Sequence, residues 1–295
     1  MDNIIIFLNG DRGLAVAEEV ARTGHQVSAI VHGKPLSSEL SCRALKITKE
    51  IFFLQDVNSE ESMGLFSSRC PRLFIVAGYA QIFSAELISL PLLGTINLHA
   101  GRVPQYRGGS PLNWQLINGE RYAGISILRM TEGIDSGEVL AKADFKIGKN
   151  DDISLLHDKA NKLFPKLVID VLIRFDRSDF SGAPQDNREA CYWHQRSDAD
   201  GEIKFASQTA EEVDRFVRAL SAPYPGAWAM YGSFLVRVLD VKVPSVEVRG
   251  SPGRVVYISG EGPIVVCKNR GVLIANYCCD DRRDLLLKHG SYFAR

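Results

Sequence analysis

Residues 3–33, NIIIFLNGDRGLAVAEEVARTGHQVSAIVHG, contain the pattern that decides the fold class. An apolar run at 4–8 ends at a glycine turn, which is typical of a parallel strand buried on both faces. Residues 13–24 then space their apolar side chains as a helix does and end in Gly24 as a C-cap. A second apolar run follows at 25–33, so the stretch predicts a strand, a helix and a parallel strand.

The same alternation continues along the first half of the chain. Helices are predicted near 60–69 and at 84–90, and strands at 73–79 and 95–100. The alternation predicts an α/β fold with a Rossmann-like, open, mostly parallel sheet that carries helices on both faces.

The next segment completes this half of the chain. Residues 123–148 contain two strand-like runs around a turn at 131–137, and a long helix is predicted over roughly 151–176. The predicted apolar stripe of that helix consists of Leu155, Leu156, Ala160, Leu163, Leu167, Val168 and Val171.

The character of the sequence changes after the long helix. Residues 178–205 are polar and rich in turn residues, and we predict a linker over the first domain because Tyr192 and Trp193 would be costly to expose. A helix at 209–221 then carries Thr209 and Glu212 at the capping-box spacing. Short strands separated by Gly/Pro turns are predicted at 234–243, 253–258, 263–267 and 271–277.

These patterns predict two domains. Residues 1–205 are predicted to form the catalytic domain with its covering linker, and residues 206–295 a small helix plus an OB-like β-barrel. The run DDRRD at 280–284 is most simply a solvated surface.

The bulk composition excludes several classes of protein. The 295 residues are 45% hydrophobic and 24% charged, as in an ordinary globular protein. Thirty-five basic and 35 acidic residues give zero formal net charge, so no nucleic-acid partner is expected, because phosphate binding favours a basic excess. The six cysteines form no CxxC pair, and no metal site or disulfide framework is predicted.

The N-terminal stretch MDNIIIFLNGDRG does not have the form of a targeting segment. An acid precedes an apolar run of about five residues, unlike a signal peptide. No stretch approaches the roughly 20 apolar residues that span a bilayer. We therefore expect a soluble cytoplasmic protein with no membrane partner.

The turn GDRG after the first strand is a candidate ligand contact. Its Gly-x-x-Gly spacing is not that of a dinucleotide site, and an ordinary strand–helix turn is the alternative interpretation. Asn9 and Arg12 nevertheless lie at the carboxyl end of a parallel strand, where open α/β sheets bind ligands, and the following helix N-terminus suits a phosphate.

Asn97 and His99 stand two residues apart at the end of the predicted strand 95–100. Side chains at this spacing project from the same face, and buried polar groups need partners. Asp135, in the glycine-flanked loop GIDSG, is a candidate partner. An amide donor, an imidazole and a carboxylate would together suit acid–base chemistry on a group that develops negative charge. The alternative is a satisfied core histidine, and spacing alone leaves their convergence open.

Residues 96–120, INLHAGRVPQYRGGSPLNWQLINGE, and 124–140, GISILRMTEGIDSGEVL, resemble the formyltransferases that use the formylated-folate cofactor. That family carries an Asn-x-His pair, a loop ending in Arg-Gly and an Asp in a Gly-x-Asp-(Thr/Ser)-Gly motif. VRALSAPYPGAW and PGRVVYIS resemble the family's C-terminal region, so the likeness covers roughly 1–275. The segment AGRV at 100–103 departs from the family, whose members often have Ser and Leu there.

The resemblance implies a function and a set of site residues. Asn97, His99 and Asp135 would form the catalytic triad, with His99 as the proton shuttle between an attacking amine and the folate nitrogen. The cosubstrate would be 10-formyltetrahydrofolate. Its pterin ring would contact the matching positions Gly78, Tyr79, Ile82, Thr131, Glu132, Gly133 and Ile134. For Tyr79 and Ile82, ordinary packing is the competing interpretation.

The loop PQYRGGSP is expected to contact the amine-bearing substrate. Arg107 suits either a phosphate or a structural role in fixing the loop. The substrate-binding residues implied are Asn9, Arg12, Gly101, Arg102, Pro104, Tyr106, Arg107 and Gly108.

The acceptor is predicted to be the amine of a nucleotide-linked amino sugar. Methionyl-tRNA formyltransferase is the alternative, but that enzyme has a basic insertion after the second strand, whereas residues 30–46, IVHGKPLSSELSCRALK, carry no Lys/Arg cluster. HQRSDADGEIKF also looks closer to the linker of the sugar enzymes.

A hydrolase of the formylated cofactor is a third possibility within the resemblance. It normally carries an N-terminal regulatory domain, and this sequence begins directly at its first strand, so a transferase is favoured. The C-terminal domain is expected to pack on the catalytic domain or to form a homodimer contact.

Overall fold

The computed structural model describes residues 3–282 and 284–294. They divide into two compact units, residues 1–111, 124–145 and 158–193 in the first and 112–123, 146–157 and 194–295 in the second. In chain order the first elements are β1 (Ile4–Leu8), α1 (Asp11–Arg22), β2 (Val27–His32), α2 (Ser38–Leu45), β3 (Ile51–Phe53), α3 (Glu60–Ser67), β4 (Leu73–Ala77), α4 (Ala85–Ser89) and β5 (Thr95–His99). They are followed by β6 (Arg107–Gly108), α5 (Pro111–Ile117), β7 (Tyr122–Arg129), β8 (Val139–Lys146), α6 (Ile153–Asp176) and β9 (Tyr192–Trp193).

A seven-stranded sheet with the order β3-β2-β1-β4-β5-β7-β8 organises the first unit. The pairs β1–β2, β1–β4, β2–β3 and β4–β5 are parallel, and β5–β7 is antiparallel. The predicted mostly parallel α/β fold is therefore confirmed. Every residue of β1 and β4 is buried, as their continuous apolar sequences require.

Strand register brings Asn97 to the carboxyl edge of the sheet. Phe7 pairs with Val76, Val76 with Asn97, and Asn97 with Leu128. An aromatic cluster packs around Phe7, whose ring contacts those of its neighbours edge-on at 4.8–5.6 Å. These rings belong to Phe66, Phe74, Tyr79 and Phe83.

Four elements of the first half were missed from the sequence, namely α2, β3, β6 and α5. Residues 38–45 form α2, which begins at the N-cap Ser37 and buries only Ala44, so its apolar periodicity is weak. Residues 51–53 form β3, a three-residue strand at the sheet edge.

The buried stripe of the long helix α6 differs from the predicted one at several positions, and the predicted Leu163 and Leu167 are only half-buried. The buried positions follow a three-to-four residue spacing: Ile153, Leu156, Ala160, Phe164, Val168, Val171, Leu172 and Phe175. The assignment of Leu155 to the stripe was wrong, since it is 42% exposed. It precedes Leu156 by one position, about 100° around the helix, and so lies off the stripe.

Residues 183–193 of the predicted linker run along the first unit. β9 pairs in parallel with β6, and the amide of Val139 donates to the carbonyl of Ala183. Trp193 is half-buried, but the expectation that Tyr192 would be covered was wrong, because that residue is 57% exposed. Its phenolic oxygen still has a protein partner, so the exposed ring remains anchored.

The second unit contains α7 (Ala210–Ala219), β10 (Ala227–Tyr231), β11 (Phe234–Lys242), β12 (Val255–Ile258), β13 (Gly262–Val266) and β14 (Gly271–Cys278). These strands form an antiparallel sheet with the order β10-β11-β14-β13-β12, which confirms the predicted C-terminal β domain. Thr209 and Glu212 form the predicted capping box of α7. β10 was not predicted.

The last described residues bridge the two edges of this antiparallel sheet. The amide of Ala294 donates to Met230 at the end of β10, while that of Phe293 donates to Gly253 just before β12. Phe293 is fully buried between them. Both edge strands therefore find backbone partners, as in a closed sheet. In the predicted solvated run, Asp280, Asp281, Arg282 and Asp284 are exposed, and Arg283 lies outside the described residues.

Candidate active site

Asn97, His99 and Asp135 come together in the first unit. Asn97 and His99 project from the same side of β5, and Asp135 reaches them from the loop after β7. Asn97 Nδ2 donates to Asp135 Oδ1 at 3.2 Å, and His99 Nδ1 lies 3.4 Å from Asp135 Oδ2. The three polar groups therefore contact each other directly.

Asp135 is the centre of this cluster. Besides the Asn97 amide, its carboxylate accepts the backbone N–H of Gly108 at 2.8 Å. Its backbone has φ +48°, a left-handed conformation that is uncommon for a residue other than glycine. Strained backbone of this kind clusters at functional sites, where the surrounding contacts maintain it.

The carbonyl of Tyr106 fixes the proton on His99. His99 Nε2 lies 2.6 Å from Tyr106 O, and the imidazole side chain is only 5% exposed. A carbonyl oxygen only accepts, so Nε2 must carry the hydrogen. The neutral ring then has its lone pair on Nδ1, which faces the Asp135 carboxylate at 3.4 Å. When Nδ1 takes up a proton, the adjacent carboxylate stabilises the resulting cation.

Gly101 leaves the space that this histidine geometry needs. A Cβ on residue 101 would lie 2.4 Å from both His99 Nε2 and Tyr106 O. Gly101 thus has no room for a side chain, and it lies within AGRV at 100–103, the segment in which this sequence departs from the family. The Gly101 carbonyl in turn accepts from Ser126 Oγ at 3.0 Å, which ties the loop to β7.

The predicted substrate loop is held by the segment that contains β9. The rings of Tyr106 and Trp193 stack at 5.6 Å, and Trp193 Nε1 donates to the carbonyl of Gln105. A Cβ on Gly108 would lie 2.3 Å from the carbonyl oxygen of Trp193, so this glycine is required for close backbone approach. Pro104 is tied to the same segment through its carbonyl, which accepts the amide of Cys191.

Arg107 fixes the loop. Its side chain is 1% exposed, and its guanidinium donates to Gln185 Oε1, Tyr192 Oη and Asn187 Oδ1 at 2.8–3.0 Å. Of the two roles left open by the sequence, this geometry supports the structural one, because the buried guanidinium is surrounded by protein acceptors.

Gln185 is a site residue that sequence reasoning missed. Its Nε2 donates to the carbonyls of Asp135 and Gly137 at 2.8 and 2.6 Å, while its Oε1 accepts from Arg107. One side chain thus links the Asp135 loop to the substrate loop. A glutamine in a polar stretch 50 positions from Asp135 carries no pattern that would identify it.

The predicted cofactor segments differ in exposure. Ile82 is 86% exposed and Ile134 63% exposed, and Thr131, Glu132, Gly133 and Gly78 are exposed as well. Tyr79 is instead buried in the aromatic cluster, and its hydroxyl accepts from Gln81 at 3.2 Å. Burial, together with the charge of Asp56, raises the pKa of Tyr79 to about 12. Tyr79 therefore packs in the core while the other positions present accessible surface.

The predicted contacts at the first strand have protein partners of their own. Asn9 Oδ1 accepts the amide of Gly33 at 2.9 Å, and Arg12 Nε donates to Asn161 at 2.7 Å. Arg102 pairs with Asp144 at 3.3 Å and, with Pro104 and Ser126, lines a cavity of about 260 Å³.

The described part of the chain contains neither a candidate metal cluster nor a membrane-spanning helix. No group of three or more His, Cys, Asp or Glu side chains within residues 3–282 and 284–294 could hold a metal ion. The helices of the same residues are all too short or too polar to cross a bilayer.

Comparison with known proteins identifies the class of this site. Residues 38–172 match the family model described as Formyl transferase, and residues 196–283 match that described as Formyl transferase, C-terminal domain. The methionyl-tRNA formyltransferase of Sulfurihydrogenibium sp. (strain YO3AOP1) is 30% identical over 232 residues, which cover 78% of this chain and 74% of that protein. The chain belongs to the formyltransferase family, as its sequence predicted, and is a formyltransferase.

Two further relatives illustrate the range of the family. The methionyl-tRNA formyltransferase of Citrifermentans bemidjiense is 33% identical over 215 residues, which cover 73% of this chain and 66% of that protein. The crystal structure of an N-formyltransferase from Helicobacter canadensis in complex with folinic acid and dTDP-3-aminofucose matches with a TM-score of 0.70 at 15% identity. The match covers 93% of this chain and 99% of that one, and it shows a shared fold.

Proposed function

We propose that the protein transfers a formyl group from 10-formyltetrahydrofolate to the amino group of a dTDP-, UDP- or GDP-linked dideoxyamino sugar used in surface polysaccharide or glycan biosynthesis. The observation that carries the proposal is the arrangement around Asp135, where Asn97 and His99 meet a carboxylate and the Tyr106 carbonyl holds the hydrogen on His99 Nε2. These groups match the demands of an amine attacking a formyl carbon.

Each triad residue has a defined task in that reaction. The cosubstrate supplies the formyl group and leaves as tetrahydrofolate when the amine takes its place. Asn97 donates one amide hydrogen to Asp135 and has a second hydrogen for the formyl oxygen, which gains negative charge as the amine attacks. His99 Nδ1 accepts the proton that the amine loses and returns it to the departing folate nitrogen. Asp135 stabilises the cationic imidazole between these two steps.

The exposed segments after β4 and β7 fit the cosubstrate. Ile82 and Ile134 offer apolar surface to a flat ring, and Gly78 leaves its backbone accessible at φ +73°. Folinic acid in the Helicobacter canadensis enzyme of the same fold supports a folate at this family's site. Tyr79 is not part of the proposed contact surface, because its ring lies in the core.

The charge distribution favours a sugar nucleotide over tRNA as the acceptor. The basic residues between β2 and β3 are spread out as Lys34, Arg43, Lys46 and Lys49. Arg43 is held by Glu18 through two bonds of 2.8 Å and by Asp11 at 3.0 Å. This side chain is therefore already neutralised, and the formal net charge of the chain is zero. The dTDP-3-aminofucose in the Helicobacter canadensis complex supports the same class of acceptor. Methionyl-tRNA is the second candidate, favoured by the two curated relatives above.

An acceptor screen tests the proposal. Purified protein and 10-formyltetrahydrofolate are incubated with a panel of dTDP-, UDP- and GDP-linked amino sugars, with initiator methionyl-tRNA, and with buffer alone. We expect mass spectrometry to detect a gain of about 28 Da on one amino sugar. This is the mass of CO, because a formyl group (CHO) replaces one hydrogen of the amine. Formylation of the tRNA at a rate that matches that of any amino sugar, or release of formate with no acceptor, would contradict the proposal.

A further inference from the structure

The second unit contains a cavity of about 570 Å³ that the proposed transfer reaction does not use. Its walls come from the loop after α5, the start of β7, the end of β8, one face of α7 and the loop after β11. We propose that this cavity is a nucleotide-binding site that takes a nucleoside diphosphate, with its phosphates on arginines and its base against Tyr122. The inference goes beyond the proposed function and does not depend on it.

The cavity is basic although the chain as a whole is neutral. Its cationic lining residues are Arg121, Lys146, Lys149, Arg215, Arg218 and Arg270, and its acidic ones are Glu120, Glu211 and Asp214. Asp214 is paired with Arg218 at 2.9 Å, and Glu211 accepts from Asn269 at 2.9 Å. The remaining charge is positive, so the cavity attracts an anion.

Arg215 and Arg270 are the groups best placed to bind the anion. Both are half-buried, and their hydrogen bonds go to backbone carbonyls: Arg215 Nε to Ile117 at 3.3 Å and Arg270 NH2 to Pro244. Among the described residues, neither guanidinium forms a salt bridge, although Glu212 acts on Arg215 and Glu247 acts on Arg270 through their charges. Each keeps its charge and further N–H groups for a ligand.

One donor in this pair is left without an acceptor. Arg270 Nε is buried and has no hydrogen-bond partner among the described residues. Because this nitrogen is closed to solvent, an anion in the cavity would bind Arg270 through the other N–H groups of its guanidinium. Gly119 makes room for the other guanidinium, since a Cβ there would lie 3.0 Å from Arg215 Nε.

The apolar part of the lining suits a base. Tyr122 is 49% exposed and lines the cavity, as do Val243 and Pro244. An accessible aromatic face stacks on a nucleobase, whichever base it is. The volume lies within the range of about 300–1,000 Å³ that small-molecule sites occupy. A nucleoside diphosphate combines this flat apolar group with two phosphates.

Calorimetry on the full-length protein tests the proposal with UDP, pyrophosphate and uridine as probes. We expect UDP to bind more tightly than either fragment and its affinity to fall at least tenfold in Arg215→Gln and in Arg270→Gln, because each removes a charge-assisted hydrogen bond. Arg249→Gln is the matched control, since this arginine of the same unit is 73% exposed, and it should change the affinity less than twofold. Unchanged UDP affinity in both variants would overturn the proposal. Pyrophosphate that binds as tightly as UDP would also overturn it, and so would an RNA hairpin that binds to the protein when UDP does not.

Photolabelling of the protein without substitutions provides a second measurement, which does not depend on how the variants fold. 5-Azido-UDP should label the peptide containing Tyr122 or the one containing Val243, and excess UDP should suppress the label. Labelling confined to other peptides would overturn the proposal. Neither measurement requires formyl transfer. A failure of the proposed function can therefore be distinguished from a failure of the proposed nucleotide site.

Discussion

The position of His99 depends on a neighbour that has no side chain. Gly101 lies against His99 Nε2 and the Tyr106 carbonyl, so the hydrogen bond that sets the imidazole tautomer exists only while residue 101 has no Cβ. Asp135 is held at two points: its carboxylate accepts the amide of Gly108, and the carbonyl of its strained backbone accepts from the side chain of Gln185. The chemistry of the triad thus rests on tight contacts made by small residues.

Gly101→Ala should reduce formyl transfer by about 100-fold, because a displacement of about 1 Å in a reacting group costs that much. The new Cβ would have to move either His99 or the Tyr106 carbonyl, which it would approach to 2.4 Å. Steady-state kinetics with the accepted amine would measure the change.

Gly64→Ala is the matched control for that substitution. Gly64 lies in α3 and is exposed, with no atom within 4 Å of an added Cβ. Activity should be unchanged and the free energy of unfolding should rise by about 0.5–1 kcal/mol, because alanine favours the helix. Equal activity in the two variants would show that the space beside His99 is unimportant.

The segment 183–193 supports the site from outside the sheet. Its β9 residues pair with β6, and its side chains hold both the substrate loop and the Asp135 loop. Gln185 is the link between these two loops. We expect it to act as a positioning residue, since no geometry requires it to touch a substrate.

Gln185→Leu keeps the size of the side chain but leaves the carbonyls of Asp135 and Gly137 without their donor. We expect kcat to fall about tenfold with little change in KM, because the Asp135 loop loosens while the cosubstrate surface is retained. Arg188→Ala, on the same segment but 89% exposed, should leave kcat within twofold. A lower melting temperature with unchanged kcat would show that Gln185 stabilises the fold without positioning the site.

The stability of the folded protein should fall at alkaline pH. Burial, with a smaller contribution from the charge of Glu211, raises the pKa of the Cys267 thiol from its ordinary 9.0 to about 12. The folded protein therefore keeps this proton where the unfolded chain loses it, so the stabilisation is complete below pH 9 and declines as the pH rises toward 12.

Cys267→Ala removes this titration and provides the comparison. The variant should be less stable than the parent protein at pH 7.5, because it leaves a small cavity. The difference in melting temperature should narrow between about pH 9 and 11 as the parent loses its pH-dependent contribution. A difference in melting temperature that stays constant over that pH range would show that the buried thiol does not cause the loss of stability.

Much of this molecule was predictable where one local pattern decides the structure. The continuous apolar run of β1 and the two-residue spacing of Asn97 and His99 needed no distant partner to be interpreted. The rest depends on long-range contacts. α2 buries one residue and so lacks a clear stripe, and Arg107 finds its acceptors about 80 positions away. Neither Gln185 nor the space beside Gly101 has a signature in the local sequence.

Single-turnover formyl transfer by His99→Ala measures the contribution of this histidine to the reaction. The substitution should lower the rate at least 100-fold, the typical contribution of a general acid–base group. Binding of the folate cosubstrate should stay within a few fold, because His99 is nearly buried against Tyr106 and Asp135. A rate within threefold of the parent protein, with a correctly folded variant, would contradict the assignment of His99 Nδ1 as the group that moves the proton.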